Sequence, residues 1–328
     1  NADTSPLPGM EEFLREWIAA VKALDSEEST GYRLRWWRPL LREAVVLQNG
    51  ANGLVELARE NGDVHPEAYH DWVVSLWRSG DSESAISAAQ EGVERIVSGR
   101  ENARLADALA TMAARTGDSD LATTARKQAW RTSPTLRRLL SYCSEGSLDR
   151  QTLDARLSEE LAGALSGSYT LSSASYGSEQ TPRLRILLHL LAYDYDTVVQ
   201  TAQAMEPLGW SSLEHPGPIV FPFLALAASG KTDRPAQGSS LAQLLDDAAR
   251  MFDSREPGDL IPSDAPDEPI ESALSSILLD TLVCHPVTPE DRARYLEVAK
   301  KIARKRIDSI VSNTHRGAYE RAARLVVA

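Results

Sequence analysis

Cysteine is scarce in this chain, whose 328 residues include only Cys143 and Cys284. Two cysteines cannot build the disulfide framework of a small secreted scaffold, so we expect a reduced protein of the cytoplasm in which both thiols behave as small buried hydrophobic groups. A catalytic cysteine needs a base beside it, and no local motif supplies one. The scarcity argues against a disulfide scaffold and against a thiol enzyme.

Long hydrophobic runs are missing too. The longest, residues 219–228, is interrupted by Pro222, and a helix needs about 20 apolar residues to cross a bilayer. We therefore expect no membrane-spanning helix, recognise no signal peptide and predict no membrane partner.

Positive charge is in deficit. The chain has 35 Lys and Arg residues against 47 Asp and Glu residues, a formal net charge of −12. Such a surface does not attract nucleic acid or anionic membranes as a whole, although a local basic patch is compatible with it. Hydrophobic residues at 42% and charged residues at 25% are usual for a folded globular protein.

Sequence motifs of catalysis and metal binding are also absent. The chain has no glycine-rich phosphate loop, nucleophile elbow or zincin motif, so we predict no cofactor, no metal and no enzyme activity. His65 and His70 are five residues apart without a third ligand nearby in sequence, which favours a capping or surface role over a metal site. A hydrolase or metal-dependent enzyme stays open as a less favoured hypothesis, because catalytic groups assemble from distant parts of a chain.

Two groups of carboxylates have an ordinary explanation. Asp194 and Asp196 flank Tyr195, where we expect a helix cap and a solvated side chain rather than acid–base catalysis. The segment 253–269 carries six carboxylates but lacks the glycine-centred spacing of a calcium loop. We predict a solvated loop there, with a bound cation as the alternative. His189 lies in an apolar run and is predicted to be a hydrogen-bonded core residue.

What the chain does have is a pattern that occurs twice at an offset of 37 residues. The two copies consist of Gly80, Asp81, Ala85, Ala88 and Gly92, and of Gly117, Asp118, Ala122, Ala125 and Ala129. Glycine accepts the left-handed backbone that ends one helix, aspartate caps the next, and small side chains let two helices approach closely. The pattern predicts helical hairpins, which bind partners more often than they catalyse reactions.

Helical periodicity extends beyond these copies. We predict helices over residues 10–24, 38–49, 54–60, 66–77, 82–97, 103–115, 119–131, 289–311 and 317–327, with others from residue 182 onward. No strand pattern is found, so the predicted fold is all-α: a helical-hairpin α–α superhelix with an irregular C-terminal half. The predicted organisation is a disordered lead-in at 1–9, a helical-repeat region at 10–165, a Ser/Gly/Tyr-rich linker at 166–182 and a C-terminal helical region at 183–328.

Weaker copies of the pattern flank the regular ones. Gly50 is followed by Val55 and Ala58 at the same spacings, and Tyr193 is followed by an aspartate and then by Val198. Because Tyr193 stands where glycine is expected, we predict a different geometry for that turn.

The spacing of Gly-Asp, alanine and proline over residues 66–134 resembles that of tetratricopeptide repeats, with a period of 37 residues in place of the usual about 34. The resemblance implies a superhelix whose concave face, formed mainly by the first helix of each hairpin, binds a protein or peptide. The side chains expected on that face are Tyr69, Trp72, Val73, Trp77, Arg104 and Asp107.

Two further segments resemble helical regions of uncharacterised prokaryotic proteins, some of which also carry an N-terminal SWIM zinc finger. The first segment contains Gly209-Trp210, residues 214–218 and Phe221-Pro222, and the second is residues 315–323. The zinc motif itself, Cys-x-Cys followed by Cys-x-His, is absent from the chain. The resemblance implies an accessory helical region and assigns no activity.

A segment near the N-terminus also favours binding. Residues 33–42 interleave arginines with Trp36 and Trp37, a composition that suits stacking on bases or gripping a peptide. The alternative is that the indoles belong to the core and the arginines line the first turn of a helix.

A second basic cluster lies near the C-terminus. Lys300, Lys301, Arg304, Lys305 and Arg306 crowd one predicted helix, where like charges repel unless something negative approaches. A nucleic-acid backbone is one candidate, and the acidic segment 253–269 of the chain itself is the simpler one.

A non-catalytic scaffold that binds a protein or peptide through helical repeats is the function that these patterns favour. The alternative is a nucleic-acid-associated accessory domain that uses residues 33–42 and the C-terminal basic helix. The sequence predicts neither an oligomeric state nor the identity of a partner.

Overall fold

The computed structural model describes residues 8–26, 34–61, 66–97, 99–144, 149–167, 182–212, 215–252, 259–262 and 269–328. Within these ranges the regular elements are fifteen α-helices and one 3-10 helix, without a strand. The all-α fold class is therefore confirmed. None of the described helices is long and apolar enough to cross a bilayer.

The chain divides into two compact units. The first comprises residues 1–132 with 258–262, and the second comprises residues 133–257 with 263–328. This division falls earlier in the chain than the predicted linker at 166–182. Most of that linker and of the lead-in at 1–9 lies outside the described residues, so both stay predictions.

Six helices form the described part of the first unit. They are α1 (Met10–Ser26), α2 (Leu34–Asn61), α3 (Pro66–Arg78), α4 (Ser82–Arg95), α5 (Gly99–Thr116) and α6 (Ser119–Thr132). Gly50, at φ 62° and ψ −156°, interrupts α2, so the predicted break is present although its backbone is not left-handed helical. The structure corrects the start of two helices, because α2 begins before Pro39 and α5 begins four residues before Ala103.

The second unit contains nine α-helices in its described part. They are α7 (Leu136–Ser144), α8 (Arg150–Ser166), α9 (Pro182–Leu191), α10 (Tyr195–Ala204), α11 (Gly217–Ser229), α12 (Ser240–Phe252), α13 (Ile270–Cys284), α14 (Pro289–Ser312) and α15 (Tyr319–Val327). The 3-10 helix Arg316–Ala318 precedes α15. Cys284, at the end of α13, is exposed, which corrects the expectation that both thiols are buried.

The first hairpin turn has the backbone that its sequence predicts. Gly80 has φ 86°, and its N–H donates to the carbonyl of Trp77 at 3.1 Å. The N–H of Asp81 donates to the carbonyl of Leu76 at 3.1 Å, which completes a Schellman motif. The Asp81 carboxylate then accepts from the N–H of Ser84 at 3.1 Å and caps α4.

The second turn repeats this arrangement at the predicted offset. Gly117 has φ 84°, and its N–H donates to the carbonyl of Ala114 at 3.2 Å. The N–H of Asp118 donates to the carbonyl of Ala113 at 2.9 Å, and its carboxylate accepts from the N–H of Leu121 at 3.0 Å. The two copies are therefore one structural motif used twice.

The turn at Tyr193 is a third copy, and the prediction of a different geometry was wrong. Tyr193 has φ 63°, and its N–H donates to the carbonyl of Leu190 at 3.3 Å. The N–H of Asp194 donates to the carbonyl of His189 at 2.9 Å, while its carboxylate caps Thr197 at 3.2 Å. Tyrosine thus adopts the left-handed conformation that glycine adopts in the first two copies.

Small residues in the hairpins do allow close approach of helices. In α4 and α6 the repeated positions are buried: Ala85, Ala88, Gly92, Ala122, Ala125 and Ala129. A Cβ atom on Gly92 would lie 2.3 Å from Cδ2 of Leu105 and 2.9 Å from the ring of Tyr69. Glycine at this position therefore lets α4 pack directly against α3 and α5.

Candidate binding groove

The aromatic residues predicted on a concave face belong to the core of the first unit. Tyr69 and Val73 are fully buried and Trp72 is 8% exposed. The Tyr69 hydroxyl donates to Glu91 at 3.1 Å, and Arg59 donates to both oxygens of the same carboxylate at 2.9 and 2.8 Å. These side chains are engaged between α2, α3 and α4, which corrects their predicted position on an exposed surface.

The remaining residues of that predicted face also have partners within the unit. The guanidinium of Arg115 lies 5.7 Å from the centre of the partly buried Trp77 ring. Arg104 forms an ion pair with Glu101 at 3.0 Å. Asp107 pairs with Arg126 at 3.5 Å. The charges predicted to meet a partner are thus neutralised by neighbours on α5 and α6.

In the described part of residues 33–42, side chains pack against or pair with other residues of the first unit. The indole of Trp37 is 39% exposed and packs on Trp17 with ring centres 5.4 Å apart. Arg42 pairs with Asp71 on α3 at 2.5 Å. The side chain of Trp36 lies outside the described residues, so its predicted contact with a partner stays a prediction.

Four residues of the C-terminal basic cluster are exposed, but Arg306 is buried, which corrects its place in that cluster. Lys300 pairs with Glu297 at 2.8 Å. Lys301, Arg304 and Lys305 project from α14, and no ion pair joins them to a carboxylate in the described part of the chain. Most of the acidic segment 253–269 lies outside the described residues. The prediction that it neutralises this cluster therefore stays open.

The second unit contains a groove that the sequence did not predict. Two adjoining cavities of about 460 and 680 Å³ lie among α11, α12, α14 and α15 and share Arg306, Gly317 and Arg321. We call these cavities together the arginine groove. The larger cavity is lined by residues that include Leu208, Gly209, Ser211, His315, Arg316 and Ala318. The apolar wall of the smaller cavity comprises Trp210, Pro218, Phe221, Pro222, Leu244, Met251 and Leu325.

The two segments that resemble SWIM-associated proteins meet at this groove. The ring of Trp210 is tilted by 46° against that of Phe221, with ring centres 6.3 Å apart. The backbone before α11 is held by His215, whose Nδ1 accepts from the N–H of Gly217 at 3.0 Å. Its Nε2 therefore carries the ring proton and donates to the carbonyl of Glu206 at 2.9 Å. Burial lowers the pKa of His215, in keeping with this neutral tautomer.

Arg306 is the central charge of the groove. Its side chain is 6% exposed, it donates to the carbonyl of Pro207 at 3.0 Å, and its guanidinium lies 5.4 Å from the centre of the Trp210 ring. Burial, together with the charge of Arg321, lowers the pKa of Arg306. No carboxylate of the described residues lies within ion-pairing distance of Arg306.

Positive charge predominates along the groove although the chain as a whole is acidic. Among the described residues, five arginines line it against two carboxylates: Arg250, Arg306, Arg316, Arg321 and Arg324 against Asp247 and Glu320. Asp247 binds Arg250 and Arg324 at 2.7 Å each. Arg316 and Arg321 are exposed and have no ion pair within the described part. The groove therefore combines an apolar wall with uncompensated guanidinium groups.

A sequence signal for Arg306 existed. Ile302, Arg306 and Ile310 are spaced by four residues, so helical periodicity places this arginine on the buried face of α14. An arginine in an inward position points to a site with special electrostatics.

A polar network surrounds Tyr193 elsewhere in the second unit. Arg150 donates to the Tyr193 hydroxyl from Nε at 2.8 Å, and that hydroxyl donates to Asp154. His285 stacks on the Tyr193 ring with centres 3.4 Å apart. Burial and the hydrogen bond to Asp154 raise the pKa of Tyr193 to about 12. The network joins α8 to the α9–α10 turn and to the end of α13.

The two predictions about single histidines have different outcomes. His189 is buried and its Nδ1 lies 2.9 Å from Asp194, as expected of a core residue. His70 is buried as well, with Nε2 3.1 Å from the carbonyl of Glu101, so the capping or surface role was wrong for this residue, while His65 lies outside the described residues. In the part of the chain that is described, no three His, Cys, Asp or Glu side chains form a group that suits a metal ion.

The geometry of the arginine groove is thus the main guide to function. The likenesses to tetratricopeptide repeats and to SWIM-associated regions stay predictions. Comparison of the chain with protein-family models, with curated proteins and with solved structures found no match.

Proposed function

We propose that this chain is a non-catalytic scaffold that binds a protein or peptide partner. In this proposal its helical hairpins form a tetratricopeptide-like α–α superhelix with an irregular C-terminal half. Support comes from the turns at Gly80, Gly117 and Tyr193, which share one pattern of backbone hydrogen bonds. Repeated hairpins of this kind expose extended surfaces on which partners bind.

The main support for the proposal is the contact between the guanidinium of Arg306 and the indole of Trp210 in the arginine groove. Buried guanidinium groups cost free energy unless a counter-charge or several hydrogen bonds compensate them. Arg306 has one hydrogen bond to a carbonyl and one stacked indole in the described part of the chain. Tryptophan and arginine are the residue types most enriched at the energetic centres of protein interfaces.

A direct binding experiment tests the proposal. The full chain is immobilised, proteins retained from a lysate of the native source are identified by mass spectrometry, and each candidate is purified and titrated by calorimetry. We expect at least one candidate to bind directly with a defined stoichiometry. The proposal fails if no purified candidate binds, and turnover of a substrate in a broad hydrolase screen would then favour an enzyme.

Nucleic-acid association is the second candidate function. It is favoured by one observation, the exposure of Lys301, Arg304 and Lys305 on α14 without ion pairs in the described part. Phosphate contacts make binding fall steeply with salt. Titration of the chain with a single-stranded oligonucleotide at rising salt concentration tests this candidate. The double variant Lys301→Glu, Lys305→Glu is expected to lose binding. Absence of binding at low salt removes this candidate.

A further inference from the structure

The arginine groove has a polar part and an apolar part that adjoin. The cavity on the side of the 3-10 helix is lined by Arg306, Arg316 and Arg321, and none of the described residues in its lining is a carboxylate. The other cavity is walled by the rings of Trp210 and Phe221. A ligand that fills both cavities must therefore combine negative charge with an apolar group.

We propose that the arginine groove binds an acidic peptide segment of a partner protein, with carboxylates on Arg316 and Arg321 and one large apolar side chain against Trp210. The inference rests on the proposed function, because it takes the partner to be a protein. It adds the chemistry of the segment that is recognised and the place where it binds.

Charge complementarity is the first argument for this occupant. Arg321 is exposed, has no ion pair among the described residues, and adds to the unfavourable charge around the buried Arg306. A carboxylate that approaches both guanidinium groups relieves that repulsion and forms charge-assisted hydrogen bonds. Guanidinium groups suit carboxylates because their paired N–H donors match the two carboxylate oxygens.

The apolar wall is the second argument. The indole of Trp210 lines the smaller cavity beside the ring of Phe221. Pro218, Pro222 and Leu325 complete a wall that accepts an aromatic or aliphatic side chain. A free phosphate ion makes no use of this wall.

The two carboxylates of the groove argue against a nucleic-acid backbone as the occupant. Asp247 and Glu320 lie on the α12 and α15 side, where they are paired with Arg324 at 2.7 and 2.6 Å. A backbone with a charge on every nucleotide needs a continuous positive track. The groove instead offers positive charge at one end and an apolar wall beside neutralised pairs at the other.

Selection from a random peptide library tests the inference. A displayed library is passed over the full chain, and enriched peptides are synthesised with a fluorescent label and titrated by polarisation. We expect enrichment of sequences in which Asp or Glu flank a Phe, Trp or Leu. Substitution of their acidic residues by Asn and Gln is expected to weaken binding about tenfold or more, as for close charge pairs at interfaces.

Two charge-reversal variants on the protein make the test specific. Arg321→Glu changes an exposed side chain of the groove and is expected to weaken binding of the enriched peptides about tenfold or more. Arg304→Glu makes the same change on α14, but Arg304 does not line the groove, so its effect is expected to stay within about twofold. Circular dichroism checks that both variants are folded.

Several results overturn the inference. They are enrichment of neutral or basic peptides, equal weakening by Arg321→Glu and Arg304→Glu, and displacement of the peptide by inorganic phosphate or by a single-stranded oligonucleotide at equal concentration. If no peptide is enriched while a purified natural partner still binds the chain, the inference fails and the proposed function stands. If neither a partner nor a peptide binds, both fail.

Discussion

The indole ring of Trp210 lies directly against the backbone of Gly217. A Cβ atom on residue 217 would come within 2.5 Å of Cε2 and 2.7 Å of Nε1 of the indole. This contact places the Trp210 ring between the first turn of α11 and the guanidinium of Arg306. The wall of the arginine groove therefore requires glycine at residue 217, because a side chain there would collide with the Trp210 ring.

Gly217→Ala is expected to destabilise the second unit. The added methyl group forces the Trp210 ring away from α11, and such overpacking costs about 2 kcal/mol of unfolding free energy. Urea unfolding measures the loss. Gly317→Ala is the matched control, because a Cβ atom there meets nothing within 4 Å, and its effect is expected within about 0.5 kcal/mol. Equal effects of the two variants would contradict the packing argument.

Thr314→Gly is expected to stabilise the protein. Thr314 has φ 52°, in the left-handed region that is unfavourable for β-branched residues by roughly 1–2 kcal/mol. Glycine removes most of that cost, and we expect a gain of about 1 kcal/mol in unfolding free energy.

The reciprocal change controls this prediction. Gly117 has φ 84° and open space around its Cβ position, so Gly117→Thr introduces the backbone cost alone and is expected to destabilise by about 1–2 kcal/mol. Urea unfolding of both variants supplies the comparison. Two shifts of the same sign would show that the left-handed conformation does not determine the effect.

Tyr193→Phe is expected to destabilise the protein although the backbone of the turn is unchanged. The substitution removes the hydroxyl that accepts from Arg150 and donates to Asp154, and loss of hydrogen bonds to charged groups costs about 2 kcal/mol. Tyr319→Phe is the control, since Tyr319 is 43% exposed and the change is expected to stay within about 0.5 kcal/mol. If Tyr193→Phe left the unfolding free energy unchanged, the polar network around Tyr193 would not contribute to stability.

Stability is expected to fall as pH decreases below about 6.5 because of His70. Burial lowers the pKa of His70 in the folded state, outweighing the opposing effect of Glu101. The unfolded chain, with a histidine pKa of about 6.5, then binds a proton that the folded chain does not. Unfolding free energy is thus lost between pH 6.5 and the lower folded pKa, at up to about 1.4 kcal/mol per pH unit.

Comparison with His70→Gln isolates this contribution from other titrating groups. Urea unfolding at several pH values between 7 and 5 is expected to show a shallower loss for the variant than for the wild type. The control His315→Gln changes an exposed histidine and is expected to retain the wild-type slope. A wild-type slope in His70→Gln would contradict the prediction.

Local elements were largely predictable from sequence because their causes are local. The turns at Gly80 and Gly117 follow from glycine, aspartate and the small residues within twelve positions after each glycine. The helices that these turns join were predicted to within a few residues at most ends. Trp72 and Tyr69 were misplaced because a one-dimensional pattern does not distinguish a residue on a concave face from one in the core between hairpins.

Helical character and the positions of the regular hairpin turns could be predicted from the sequence, because capping and left-handed glycine act over a few neighbouring residues. The tertiary structure was needed to find a tyrosine in the third left-handed turn, where its hydroxyl contacts Arg150 and Asp154 of another helix. It also brought Trp210 to Arg306 across almost a hundred residues. Such a pairing depends on how α11 and α14 pack, and packing between distant segments leaves no periodic trace in the sequence.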